Sequence, residues 1–160
     1  MPVTQDEFRA ALSRFPSGIT VVTSHGTAGQ LHGITVSAFC SVSLNPPLIL
    51  VCIEKTTASH VAIQASRSFA VNILTAAGGE QLSERFSLPV LDKFEGISYR
   101  SGLDGVPVLN DALAALECRL ENAFDGGDHT IFVGLVEKVA ITGGRPLVYF
   151  HGSYHDLLDP

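Results

Sequence analysis

The sequence predicts a mainly β fold: an antiparallel barrel with a few helices at its periphery. Runs rich in β-branched residues recur between turn residues, at Ile19–Thr23, Ile34–Ser43, Leu48–Ile53, Phe69–Leu74, Leu116–Ala123, Thr130–Ile141 and Leu147–Phe150. Helical spacing is confined to three stretches. Strands and helices therefore do not alternate as a parallel doubly wound sheet requires, and an antiparallel barrel accounts better for the pattern.

The first element, 4–15, reads as an amphipathic helix. Thr4 followed by Glu7 forms a capping box, and Phe8, Ala11, Leu12 and Phe15 fall on one face. Pro16 and Gly18 end it. Within Ile34–Ser43, Phe39 and Cys40 are candidates for a bulge, and Asn45-Pro46-Pro47 forms the turn that leads into Leu48–Ile53. A short helix follows at Thr57–Ala65, with Val61, Ala62 and Ala65 sharing a face. Another lies at Glu80–Phe86, presenting Leu82 and Phe86. Gly126-Gly127-Asp128 then makes a tight hairpin turn into the long run that begins at Thr130. With no repeat, low-complexity tract or linker, residues 1–160 read as one domain.

Apolar residues make up 46% of the chain and charged residues 16%, a globular composition with some surplus of apolar surface. Such a surplus suits burial against a second copy of the chain. The net charge of -6 and the scatter of Lys and Arg argue against nucleic acid as a partner. Cys40, Cys52 and Cys118 show no metal or disulfide spacing and are expected to be buried, reduced thiols in a cytoplasmic protein. The start, Met1-Pro2-Val3-Thr4, lacks the pattern of a signal peptide, and Leu48–Ile53 is too short to span a bilayer, so no membrane partner is expected. Neither a G-x-G-x-x-G nor a P-loop motif occurs, so any nucleotide is held by another architecture.

Five segments carry chemistry-bearing side chains. In 32–47, Thr35, Ser37, Ser41 and Ser43 recur at period two, so one strand would turn four hydroxyls to one face, suited to a polar ring edge and a phosphate. The same spacing also fits a half-exposed strand with Ser and Thr facing water. In 54–60, Thr57 or Ser59 can cap a helix whose free N–H groups attract an anion, and Lys55 adds positive charge. An ordinary N-cap explains that pattern equally. In 81–86, Arg85 suits a phosphate or a ring, or else an exposed helix face, with Phe86 beside it or in the core. In 125–132, His129 stands at a turn-to-strand junction where Asp128 can orient it. In 146–155, Tyr149, Tyr154, His151 and His155 offer flat rings with polar tips. Gly152 opposes the helix that would pair the two histidines, so no metal site is expected.

In this order, with Phe15-Pro-Ser-Gly-Ile-Thr-Val-Val-Thr23, Thr35-Val-Ser-Ala-Phe-Cys-Ser-Val-Ser-Leu44, Phe69-Ala-Val-Asn-Ile-Leu74, Ser83-Glu-Arg-Phe86, Lys93-Phe-Glu-Gly96, Leu116-Glu-Cys118, Gly127-Asp-His129 and Pro146-Leu-Val-Tyr-Phe150, the chain resembles a known family. It is similar to the short-chain flavin reductases with the FMN-binding split-barrel fold, the reductase components of two-component flavin-dependent monooxygenases. The resemblance spans about residues 5–158.

The resemblance implies a homodimeric, six-stranded antiparallel split β-barrel that transfers hydride from NADH or NADPH to FMN or FAD. The reduced flavin would serve a partner oxygenase. No Lys or Arg stands out for a 2′-phosphate, which favours NADH. Carried over, Thr35, Val36, Ser37 and Ser41 would contact the flavin ring, ribityl chain and phosphate. Thr56, Thr57 and Ser59 would hold the phosphate side, and Arg85 and Phe86 would close the site. His129 would lie beside the nicotinamide as a positioning group, and Tyr154 would help hold the dinucleotide. The alternative is a non-catalytic FMN-binding or electron-carrier barrel, which has no use for the Gly-Asp-His turn.

Overall fold

A computed structural model describes residues 3–90 and 92–157. In chain order the elements are α1 (Gln5–Leu12), β1 (Ser17–Gly18), β2 (Thr20–His25), β3 (Leu31–Val36), β4 (Phe39–Leu44), β5 (Pro47–Glu54) and α2 (Ala58–Ser66). There follow β6 (Ser68–Leu74), α3 (Ala76–Ser87), β7 (Tyr99–Ser101), β8 (Pro107–Leu109), β9 (Ala112–Gly126), β10 (His129–Ile141), β11 (Leu147–Phe150) and β12 (Ser153–Asp156).

The main sheet is antiparallel, with strand order β3-β2-β6-β9-β10-β5-β4. It has seven strands where six were expected. The extra strand arises because the run Ile34–Ser43 does not stay continuous. The Phe39 N–H donates to the Ser37 carbonyl at 2.9 Å, and this tight turn splits the run into β3 and β4. The register irregularity of β4 against β5 falls between Ser41 and Ser43, not at Phe39–Cys40. The two sheet edges, β3 and β4, are thus consecutive in the chain, joined by only Ser37 and Ala38, so the sheet must curl until its edges approach.

The inside of that curl is the main core. Along β5, Ile49, Val51 and Ile53 are buried while Leu48, Leu50 and Cys52 are only partly so, as period two dictates. They meet Val22, Val36, Phe69, Val71, Cys118, Leu120 and Phe132 from the other strands, and Ile63 from α2. Each such buried aliphatic side chain contributes about 1.5–3 kcal/mol. Gly134 is required in mid-strand: a Cβ there would lie 2.5 Å from Phe69 Cζ and 2.9 Å from Cys118 Cβ. Burial pushes the Cys118 thiol up to about 12. Cys52 is only partly buried and Cys40 is exposed on β4, against the expectation of three buried thiols.

Helix α2 packs into this core with Ser59, His60, Ala62 and Ile63. Val61, placed on the inner face by the sequence reading, is 63% exposed. The Thr57 cap sets the phase, and 59, 62 and 63 then share a face. Around α1 the capping box forms as expected: Thr4 Oγ1 accepts from the Glu7 N–H at 3.2 Å, and Glu7 accepts from the Thr4 N–H at 2.8 Å. The helix stops at Leu12, short of Phe15, and buries none of its residues.

Three buried polar side chains fasten the β7–β8 segment to the sheet. Glu117 accepts from Arg100 at 2.7 Å and from the Leu103 N–H at 2.6 Å. Asn72 accepts from the Leu109 N–H at 2.9 Å, and Thr23 donates to the Pro107 carbonyl at 2.5 Å. Burial opposes ionisation of Glu117, but the bonds from Arg100 and Leu103, with the Arg100 charge, outweigh it and hold the carboxyl below its ordinary range.

Candidate functional site

Register brings three of the five chemistry-bearing segments to one end of the main sheet. His129 opens β10 and pairs with Glu54, the last residue of β5, on one side and with Gly126 on the other. Glu54 leads directly into the turn that starts α2. The Cys52 N–H donates to the Ala38 carbonyl at 3.1 Å, which lays the β3–β4 kink, with Ser37, along the same end of β5. Segments far apart in sequence, around Ser37, Thr56 and His129, therefore border one region.

At the β5–α2 turn the hydroxyls are largely committed. Thr57 is the N-cap: its Oγ1 accepts from the His60 N–H at 3.3 Å and donates to the Glu54 carbonyl at 2.8 Å. Thr56 Oγ1 donates to Glu54 at 2.8 Å. Ser59 is buried. What this turn offers a ligand is chiefly backbone, since the first N–H groups of a helix have no partner within it and favour an anion. Behind them, His60 Nε2 lies 2.8 Å from Thr130 Oγ1. Burial, helped by the Lys55 charge, holds His60 below its ordinary pKa and so favours a neutral ring.

The Gly127-Asp128 turn carries His129 into the same region. Gly127 has φ of +77°, which favours glycine. His129 Nδ1 sits 2.7 Å from Asp128 Oδ1, and the imidazole is partly exposed. That bond holds the Asp128 carboxyl below its ordinary pKa and fixes the ring's orientation. Lys55 does not stand free for a phosphate. Its ammonium donates to Asp125 Oδ1 and to the Gly127 carbonyl, each at 2.5 Å.

The remaining residues form a second group around α3. Thr35 Oγ1 donates to the Ser83 carbonyl at 2.5 Å, and Ser83 Oγ lies 2.8 Å from the Tyr154 hydroxyl. Val36 turns its side chain into the main core, leaving its backbone at the kink. Phe86 is fully buried, edge-on to Phe94 at 5.1 Å between centroids, so its ring lines no open surface. Arg85 grips the following loop, donating to the carbonyls of Lys93 and Glu95 at 2.6 Å. Thr35, Ser37, Ser41 and Ser43 do not form one row, because the kink at Ser37–Ala38 separates Thr35 on β3 from Ser41 and Ser43 on β4. Ser37 and Ser41 are exposed.

A family model described as flavin reductase like domain matches residues 12–158. The chain belongs to the flavin reductase-like family. It is 42% identical over 160 residues to Flavin reductase (NADH) of Kitasatospora aureofaciens, covering 95% of this chain and 81% of that one. It is 38% identical over 150 residues to the reductase subunit HsaB of a flavin-dependent monooxygenase from Mycobacterium tuberculosis, covering 92% and 79%. The solved NADH:FAD oxidoreductase SgcE6 of Streptomyces globisporus C-1027 superposes with a TM-score of 0.92 at 33% identity, covering 99% and 96%. That same oxidoreductase has been solved with NAD and FAD fragments.

The connections of two residues in these groups do not follow from the sequence. Ser83, the hub between Thr35 and Tyr154, lies in the Ser83-Glu-Arg-Phe86 motif, but nothing in that motif names its two partners. Lys55 adds positive charge as expected, but its partners lie some 70 residues away and no spacing reveals them. Among the described residues, no three His, Cys, Asp or Glu side chains converge as a metal ion would need, and no helix is long and apolar enough to cross a membrane.

Proposed function

We propose that the chain transfers hydride from NADH to FMN or FAD and releases the reduced flavin to a separate flavin-dependent oxygenase. The observation that carries this reading is His129, oriented by Asp128 and held across the strand ladder from the β5–α2 turn. A flavin carrier needs the phosphate-binding turn but not the oriented imidazole. Relatives named for NADH, for FAD and for a monooxygenase reductase subunit support the same reading.

The donor set suits a flavin. Ser37 and Ser41 present exposed hydroxyls, and the N-terminal N–H groups of α2 suit a phosphate. The carbonyls of Val36, Ser37 and Ala38 are taken up within the protein, so this stretch offers a ring edge its N–H groups at Ser37 and Ala38. Thr56, Thr57 and Ser59 act mainly by shaping and capping that turn. Thr35, Arg85, Phe86 and Tyr154 act at the other strand of the kink, bracing β3 through α3. When bound, the nicotinamide and the flavin would supply the hydride chemistry themselves. The protein supplies alignment, and His129 positions the nicotinamide without giving up a proton.

The curled sheet is best described as a split barrel forming a single domain. A homodimer is the expected assembly, because α1 leaves Phe8 and Leu12 uncovered and Leu44 is 96% exposed on the edge strand β4. An enzyme drawing on NADH is expected in the cytoplasm, where NADH is regenerated.

The deciding experiment mixes purified protein with NADH and FMN or FAD without oxygen and follows the flavin's visible absorption. Bleaching faster than in the protein-free mixture is expected. No acceleration with either flavin overturns the proposal.

A further inference from the structure

We infer that Lys55 is a positioning residue for hydride transfer, a staple that fixes the Gly127-Asp128-His129 turn against the β5–α2 turn. This inference rests on the proposed flavin reductase reading and assigns a residue to it.

Three bonds converge on Lys55. Its backbone N–H donates to the Asp128 carbonyl at 3.0 Å. Its ammonium donates to Asp125 Oδ1 at the end of β9 and to the Gly127 carbonyl within the turn, each at 2.5 Å. One side chain thus ties the end of the β9 arm to the turn of the β9–β10 hairpin. The tip needs such a grip, because Glu121–Gly126 are all exposed and no core side chain anchors them. Without it the turn hangs on the strand ladder alone, and ladder ends open at little cost.

The consequence follows from chain order. Lys55 directly precedes Thr56 and Thr57, which shape the turn assigned to the flavin phosphate. The carbonyls it holds belong to the two residues before His129. Beyond the Glu54–His129 pairing of the ladder, Lys55 therefore braces the distance between the flavin-side turn and the nicotinamide-side imidazole. Charge-assisted bonds to a carboxylate and a carbonyl are well suited to this, being both strong and directional. A competing role is direct contact with the flavin phosphate. The geometry disfavours it, because two of the ammonium's three donors are already committed inside the protein.

The test compares Lys55→Met, Lys55→Arg, Asp125→Ala and the double variant Lys55→Met/Asp125→Ala with the wild-type protein. Flavin affinity is read by fluorescence quenching, and KM for NADH and kcat by anaerobic flavin bleaching. For Lys55→Met the KM for NADH should rise roughly tenfold, since displacement of a positioning group by about an ångström costs at least that much, with flavin affinity within about twofold. Lys55→Arg, which keeps the charge and the donors, should recover most of the loss. Asp125→Ala should show a smaller rise, because Gly127 still holds the ammonium, and the double variant should be no worse than Lys55→Met. Loss of flavin affinity in Lys55→Met would overturn the staple in favour of a phosphate contact. An unchanged KM for NADH in Lys55→Met would overturn it as well. Wild-type protein that fails to reduce flavin would instead overturn the function on which the inference rests.

Discussion

Replacing Tyr154 by Phe removes one hydroxyl and leaves the ring in place, which separates two roles for this residue. The sequence resemblance put Tyr154 on the dinucleotide, whereas the structure commits its hydroxyl to Ser83 Oγ at 2.8 Å. Ser83 has no exposed surface. Its hydroxyl would therefore lose a partner without gaining water, and the cost should reach about 1–2 kcal/mol, the upper part of the range for a single neutral bond. In a chain of this size that lowers Tm by roughly 2–8 °C. The ring should stay packed against Tyr149, whose centroid lies 5.4 Å away. Thermal melting by circular dichroism measures the first effect, and KM for NADH the second. We expect the melting shift with KM changed less than about twofold, because α3 is supported rather than replaced. A tenfold rise in KM at unchanged Tm would refute this reasoning and return Tyr154 to the dinucleotide.

Arg100→Met should strand the buried Glu117 carboxylate with only the Leu103 N–H and cost about 2–3 kcal/mol, visible as a lower urea midpoint. The same pair sets an acid limit. Because the folded-state pKa of Glu117 lies below its ordinary 4.5, its contribution is complete above that pH and is lost as pH falls through the lower folded value. Acid titration should therefore show a late loss of stability in the wild type that shrinks in Arg100→Met. Gly134→Ala forces a methyl into Phe69 and Cys118, both fully buried, and should cost about 1–3 kcal/mol; an unchanged Tm would contradict the packing described. Thr57→Ala removes the α2 cap and should cost about 1 kcal/mol, with flavin affinity falling alongside, measured by melting and by fluorescence titration.

The strands were legible from their β-branched runs, and along β5 burial also alternates. Ile49, Val51 and Ile53 announce an inner face, and the Thr4–Glu7 capping box marks where α1 begins. The kink at Ser37–Ala38 was not legible. Nothing in that sequence forbids a continuous strand, and the break accompanies the placing of β3 and β4 at opposite edges of one sheet, a tertiary demand. Two polar residues did carry an unread signal. Asn72 and Glu117 each interrupt an apolar strand, and a buried polar group must find a partner, so each pointed to a segment docking there. The short strands β7 and β8 are those segments. In the site, Gly127-Asp-His129 stood out as a motif, but the commitment of Lys55 and the hub at Ser83 depend on contacts across some 50–70 residues. Phe86 and Val36 belong to matched motifs yet turn inward, since a motif records position and not the direction a side chain takes.

The most direct test of the central claim is His129→Ala, assayed for flavin affinity and for anaerobic flavin reduction across a range of NADH concentrations. If His129 positions the nicotinamide, KM for NADH rises by roughly tenfold or more while flavin affinity stays within about twofold. If instead flavin affinity falls and KM for NADH is unchanged, His129 belongs to the flavin seat and the assignment of the Gly-Asp-His turn is contradicted.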